Sequence, residues 1–291
     1  MSSFCFILTE RCNWNCSYCE FPTIENPNDT TIEILSKHLP YIKEIFMKIE
    51  PHIVFSDISG GEIGLLPIET IRYFFEIMDF PMVISTNGKF MENNYHQDPI
   101  LKPYIKAIWH HVHPEPKGFR MEKDYEDSEI YINKGIVHNN INEMVDFIKV
   151  NNHIDFGYIE LEYDINEPRQ MNSEIYIELH ERIKDLPNIT KEAKLHLLER
   201  TTEAPNKREY CTKFNTTVVL DLVNEKILLC HRSQMNSIQL TKENLITRIA
   251  EHPKNIFSTP NKCESCTRLY YGKMIGMNVE DFYKTRRLLC Q

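Results

Sequence analysis

From the first residues to about residue 165, short apolar runs rich in β-branched and aromatic residues alternate with stretches whose apolar positions recur every three or four residues. That alternation is the signature of βα units around a parallel sheet. Residues 4–8 read as a first strand. Thr30-Thr31-Ile32-Glu33 then opens a helix with a capping-box pattern, and Ile32, Leu35, Leu39, Ile42, Ile45, Phe46 and Ile49 follow at helical spacing. Pro40 is expected to kink or divide this helix. Residues 53–55 read as a strand, 67–78 as a helix with Pro67 in its first turn, and 82–85 as the next strand. Further strands are expected at 105–112, 130–138 and 154–163, with a helix at 141–150 between the last two, giving about six units.

Helical periodicity continues at 173–186 and 190–200, after which the polar stretch Glu203-Ala204-Pro205-Asn206-Lys207-Arg208 reads as a linker. Beyond it, 216–222 and 226–229 flank Val223-Asn224-Glu225 and predict a β-hairpin with a cysteine at each outer end, Cys211 and Cys230. The organisation expected is a core domain over 1–203 and a smaller module over 204–291. No internal repeat or low-complexity tract is visible.

Composition narrows the class. With 42% hydrophobic and 26% charged residues and nine glycines in 291, the chain has the make-up of a globular protein. No apolar run approaches the ~20 residues of a membrane helix, so no membrane association is expected. Met1 to Glu10 contain no basic leader, which gives a cytoplasmic expectation. A net charge of −9 would repel a phosphate backbone and argues against nucleic acid as a partner.

Nine cysteines in a reducing compartment favour metal over disulfides. Cys5, Cys12, Cys16 and Cys19 lie near the start, and Cys211, Cys230, Cys263, Cys266 and Cys290 lie after residue 210. The segment Cys12-Asn13-Trp14-Asn15-Cys16-Ser17-Tyr18-Cys19 puts three thiolates on one short loop after a strand. Thiolates are the usual ligands of iron-sulfur clusters, and a cubane with three protein ligands keeps one iron open for another molecule. A zinc site or buried cysteines would be the plainer alternative.

This CxxxCxxC loop resembles the defining motif of the radical S-adenosylmethionine (SAM) superfamily, including the aromatic Tyr18 before the last cysteine. The resemblance covers most of the chain. It implies a partial (β/α)6 TIM-like barrel of α/β class, with Cys12, Cys16 and Cys19 holding a 4Fe-4S cluster whose open iron chelates SAM. Electron transfer from that cluster would then yield a 5′-deoxyadenosyl radical that abstracts hydrogen from a substrate. Tyr18 would lie against the adenine. Ser59-Gly60-Gly61-Glu62 resembles the family's glycine-glycine-glutamate motif for the SAM amino group, with Ile63 where proline is frequent. On residue chemistry alone it marks close backbone approach to a ligand, or a tight turn. Ser85-Thr86-Asn87-Gly88 resembles the family's third-strand turn beside SAM, the alternative being a simple asparagine-glycine turn. Strand carboxyl ends are where parallel α/β folds place their sites.

His111 and His113 share a strand face by alternation and could reach SAM or substrate, or serve as ordinary polar lining. Glu160 and Glu162 share a face opposite Ile159 and Leu161, directed either to the barrel mouth or to solvent.

Cys211, Cys230 and the Cys263-Glu264-Ser265-Cys266 knuckle form two pairs sufficient for a complete site, for which structural zinc is the plain reading. After such a core they resemble the twitch module, a shortened relative of the SPASM domain. That implies a small α+β module with a second, auxiliary 4Fe-4S cluster. Cys5 and Cys290 are unassigned. By the same resemblance the substrate is a peptide or protein, or alternatively a small sugar-like molecule undergoing dehydrogenation or epimerisation, with a reductant such as flavodoxin or ferredoxin as partner. A non-enzymatic iron-sulfur or zinc regulatory protein is the third alternative.

Overall fold

The computed structural model describes residues 2–16, 19, 21, 24–49, 53–112, 131–138, 141–162, 173–191, 193–195, 197, 217–230 and 233–250. Its strands are β1 (Ser2–Ile7), β2 (Ile53–Ser59), β3 (Met82–Thr86), β4 (Ile105–Val112), β5 (Tyr131–His138), β6 (Phe156–Glu162), β7 (Thr217–Asp221), β8 (Lys226–Cys230) and β9 (Ser233–Gln239). The helices are α1 (Ile32–Ile49), α2 (Ile68–Met78), α3 (Lys89–Glu92), α4 (Ile141–Val150), α5 (Ser173–Ile183) and α6 (Lys242–Ala250). The strands form one sheet in the order β6-β5-β4-β3-β2-β1-β7-β8-β9. Neighbours from β6 through β7 pair in parallel, and only β8 and β9 are antiparallel additions. This is the expected α/β architecture, a partial barrel of six successive parallel strands. The linker at 203–208 lies outside the described residues, so the expected division at 203/204 is not drawn on this sheet.

Alternation along the strands separates two faces. Phe4, Phe6 and Leu8 of β1 and its exit, Ile58 of β2, Ile84 of β3 and Ile108 of β4 are buried in one core with α1 and α2. Ring pairs lock it: Phe6 meets Phe74 edge-on at 5.2 Å, and Phe4 meets Phe46 at 5.2 Å. A second core joins Val112, Phe156 and Ile159 to Met144, Val145 and Ile148 of α4 and Leu179 and Ile183 of α5. The opposite face carries Cys5 and Ile7, which pack with Val219 and Leu228 beneath Phe21, Ile24 and Cys19. The segment after β1 therefore folds back over the sheet face opposite the described helices.

Two local expectations are corrected. Pro40 does not divide its helix, since α1 runs from Ile32 to Ile49 with Pro40 inside. Proline removes one helical hydrogen bond, but Leu35, Leu39, Ile42, Ile45, Phe46 and Ile49 bury the flanking turns on both sides against the sheet. The capping box centred on Thr30 is also displaced by one residue. Thr31 Oγ1 accepts from Ile34 N–H at 3.2 Å, while buried Thr30 donates its hydroxyl to Leu222 O at 2.9 Å. A tertiary acceptor 192 residues away thus takes Thr30 from the helix end, and Thr31 becomes the cap.

The hairpin expected after the linker is present as β7 and β8, paired antiparallel, but β7 also lies parallel against β1. Its turn is fixed to the core at several points. Leu222 N–H donates to Ile7 O at 3.0 Å, and Asn224 Nδ2 donates to Glu10 Oε1 at 2.7 Å. Glu225, in the left-handed region at φ 53°, meets Lys37 and, at 2.6 Å, His38 Nε2. The hairpin bearing Cys230 is consequently held beside the strand that leads to Cys12.

Replacing Phe74 by alanine is expected to lower unfolding free energy by about 3–5 kcal/mol, because a fully buried ring with two edge-on partners is lost. Urea unfolding followed by circular dichroism measures it, and a cost below about 1 kcal/mol would contradict the packing described.

Candidate active site

The carboxyl ends of β1, β2 and β3 meet at one place, and backbone hydrogen bonds define it. After β1 the chain passes through Thr9, Glu10 and Arg11 to Cys12. Gly61 N–H donates to Thr9 O at 2.9 Å and Glu62 N–H donates to Arg11 O at 2.8 Å, so the turn after β2 grips the segment that carries the first cysteine. The glycines are what allow this contact. A Cβ on Gly61 would stand 2.2 Å from Arg11 O, and Gly60 has φ +115° with Ile7 Cγ2 only 2.9 Å from its Cβ position. The close approach inferred from sequence is real, and the backbone that approaches is the chain's own cysteine loop.

A polar set supports the same loop from behind. Arg11 pairs with Asp29, its Nε donating to Oδ1 at 3.0 Å, and donates through Nη2 to Leu65 O at 3.1 Å. Thr9 Oγ1 donates to Asp29 at 2.6 Å and accepts from Arg11 N–H at 3.0 Å. Buried Glu10 accepts from Asn28 N–H at 3.0 Å as well as from Asn224. Sequence reasoning missed Thr9, Glu10, Arg11, Asp29 and Asn224, because each acts through a partner distant in the chain and none belongs to a motif.

Within the loop, Cys12, Cys16 and Cys19 gather around buried Trp14, and none of the three is in a disulfide. Cys19 N–H donates to Cys16 O at 3.1 Å, closing the turn between the last two. The donors that face Cys12 Sγ include Trp14 N–H at 3.5 Å and Asn87 Nδ2 at 3.7 Å. Burial pushes the Cys12 thiol above its ordinary range and the Glu62 charge adds to this, while hydrogen bonds from Trp14, Asn87 and Asn13 oppose it. Among the described residues no three His, Cys, Asp or Glu side chains converge as a single metal ion would require. A cubane does not need that convergence, since each of its protein ligands binds a different iron, and three thiols on one short loop are a donor set that fits it.

Glu62 joins the second strand end to the third. Its carboxylate is buried, yet Oε1 accepts from Gly64 N–H and from Thr86 Oγ1, both at 2.8 Å, and Oε2 accepts from Asn87 N–H at 2.7 Å. Burial pushes its pKa up, and those hydrogen bonds oppose the rise. Gly88, at φ +111°, turns the chain over His110, whose Nε2 would lie 3.2 Å from a Cβ there. The turn expected at 85–88 is thus fastened to Glu62 rather than standing alone.

The remaining candidates are placed by register. Ser85 aligns with Trp109, and His111 two residues further along β4 aligns with Lys134, which in turn aligns with Tyr158. Ser85, Trp109 and His111 share the sheet face of Cys5 and Asp57, opposite the face that the described helices cover. Glu160 and Glu162 align in register with Ile136 and His138 of β5. Cys230 ends β8. Tyr18, His113, Cys211, Cys263, Cys266 and Cys290 lie outside the described residues.

No family model and no curated relative matches the chain. Solved structures do. That of Streptococcus suis SuiB bound to S-adenosylmethionine aligns over 93% of this chain and 72% of its own with a TM-score of 0.54 at 14% identity. Native anSMEcpe with bound AdoMet aligns over 99% of this chain and 95% of its own with a TM-score of 0.52 at 12% identity. The chain shares the fold of these two structures, a mixed α/β partial barrel. At such identity the likeness concerns architecture. Among the described residues, no helix is long and apolar enough to cross a membrane.

Two substitutions probe this frame. Gly61→Ala is expected to cost about 1–3 kcal/mol by forcing the turn off Arg11 O. Glu62→Gln is expected to cost a similar ~1–3 kcal/mol, because an amide in place of either oxygen turns a donor toward Asn87 N–H or Gly64 N–H. Thermal unfolding reads both, and wild-type stability in either variant would contradict the described contacts.

Proposed function

We propose that this chain is a radical SAM enzyme. The observation that carries the reading is the three-cysteine loop at the carboxyl end of β1, gripped by the Gly60-Gly61-Glu62 turn, on the fold shared with two SAM-bound structures. Cys12, Cys16 and Cys19 are the residues that would hold a 4Fe-4S cluster. That cluster, once reduced, supplies the electron that cleaves SAM to methionine and a 5′-deoxyadenosyl radical.

The chain's own residues bind and orient. Gly60 and Gly61 bring the second strand end against the cysteine loop, so groups that contact SAM are held relative to the thiolates by backbone hydrogen bonds rather than by long side chains. With the Glu62 carboxylate engaged by Gly64, Thr86 and Asn87, the acceptors that this turn offers to an ammonium group are main-chain carbonyls. Ser85, Asn87 and His111 stand along the adjoining strand ends, and Tyr18 completes the proposed SAM-contacting set. Cys211, Cys230, Cys263 and Cys266 are proposed to hold an auxiliary 4Fe-4S cluster. The proposed substrate is a peptide or protein, supported by the resemblance of the second cysteine group to the twitch module. Electrons would come from flavodoxin or ferredoxin.

Anaerobically reconstituted protein, reduced with dithionite and given SAM, is expected to release 5′-deoxyadenosine, measured by liquid chromatography. Cys12→Ala, Cys16→Ala and Cys19→Ala should each reduce release to background. Release at the wild-type rate from these variants, or none from the wild type, would overturn the reading.

A further inference from the structure

We infer that Asn87 is a positioning residue that sets the reduction potential of the cluster held by Cys12, Cys16 and Cys19, by donating a side-chain N–H to Cys12 Sγ. The inference rests on the proposed cluster, and it deepens that reading by assigning a tuning group outside the ligand set.

The orientation of the Asn87 amide is fixed by its neighbours. Lys89 N–H can only donate, and it faces Oδ1 at 3.4 Å; Nδ2 lies on the other side, 2.9 Å from Asn13 Oδ1. The Lys89 contact thus turns the nitrogen to the loop, and with one N–H directed to Asn13 the other is available to Cys12 Sγ at 3.7 Å. The main chain beneath is held as firmly. Asn87 N–H donates to Glu62 Oε2 at 2.7 Å, Thr86 Oγ1 donates to Glu62 Oε1 at 2.8 Å, and Gly88 N–H donates to Thr86 Oγ1 at 3.1 Å. Glu62 is 2% exposed, so this anchor is isolated from water. Because Glu62 N–H also donates to Arg11 O, one residue ties both Asn87 and the segment before Cys12 to the same point. A sulfur and a donor on two turns 75 residues apart are thus held in register by one buried residue, through its main-chain N–H on one side and its carboxylate on the other.

The electrostatic consequence has a definite sign. Reduction adds negative charge to the cluster and its thiolate ligands, and an N–H pointing at a ligand sulfur stabilises that charge more in the reduced than in the oxidised form. Such hydrogen bonds belong to the outer shell through which a protein sets a metal site's potential. Removing the donor should make the cluster harder to reduce. A residue that merely shaped the asparagine-glycine turn would leave the potential where it is.

The test is a redox titration of SAM-free holoprotein followed by electron paramagnetic resonance. The couple to follow is the one lost when Cys12, Cys16 and Cys19 are all replaced by alanine. In Asn87→Ala the reduced-to-oxidised ratio at a fixed potential should fall about tenfold, equivalent to a shift of ~59 mV to lower potential for one electron. Asn87→Asp, nearly isosteric, should shift further the same way, because it loses the donor and adds a negative charge. It also carries the test if the alanine variant fails to fold. Full iron content with an unchanged potential in these variants overturns the inference and leaves the proposed cluster intact. Failure of both variants to assemble the cluster also overturns it, since the role assigned is tuning and not assembly. A wild type that takes up no iron overturns the cluster reading and the inference together.

Discussion

Two backbone hydrogen bonds, from Gly61 to Thr9 and from Glu62 to Arg11, determine where everything else in the site can be. They draw the segment entering the cysteine loop onto the end of β2 so closely that no side chain fits at position 61. Rigid scaffolding of this kind places reactive groups better than contacts between long side chains, which lose rotamer freedom each time they engage. The loop is then braced from outside by the Arg11–Asp29 pair and from the hairpin side by Glu10 and Asn224.

The Glu62 carboxylate extends this frame to the third strand. A carboxylate buried in an apolar core is costly unless its oxygens are occupied, and here backbone and hydroxyl donors occupy both. The result is a short chain of contacts from β2 through Glu62 to the Thr86-Asn87-Gly88 turn and back to Cys12 Sγ. The sheet supplies the same economy at larger scale. β7 belongs by sequence to the second cysteine group, yet it lies in parallel against β1, so the strand leading to Cys12 has neighbours on both sides.

Much of this was legible in the amino-acid order, for physical reasons that differ between elements. Strand and helix positions followed from periodicity, because burial on one face imposes spacing; β4 and α4 fall where alternation and helical spacing place them. Motif residues were legible because glycine pairs and clustered cysteines are rarely spent without a local need. What each local feature is opposed to was not legible. Thr30 sits where a helix cap is expected and bonds Leu222, and nothing in the glycine pair itself announces that it receives the chain's own loop. The partners that hold Glu62, Thr86 and Asn87 on the adjoining strand end, were likewise not legible. Contacts over long sequence separation leave no periodic trace, and Arg11–Asp29, Glu10–Asn224 and His38–Glu225 are of that kind.

The central claim is that the loop of Cys12, Cys16 and Cys19 holds an iron-sulfur cluster, and metal analysis tests it most directly. Iron, sulfide and zinc are to be measured after anaerobic reconstitution in the wild type and in the variant with all three cysteines replaced by alanine. The account predicts about eight irons in the wild type and about four in the variant, the difference being one cubane. Zinc without iron in the wild type, or an iron content that the triple replacement leaves unchanged, would contradict it.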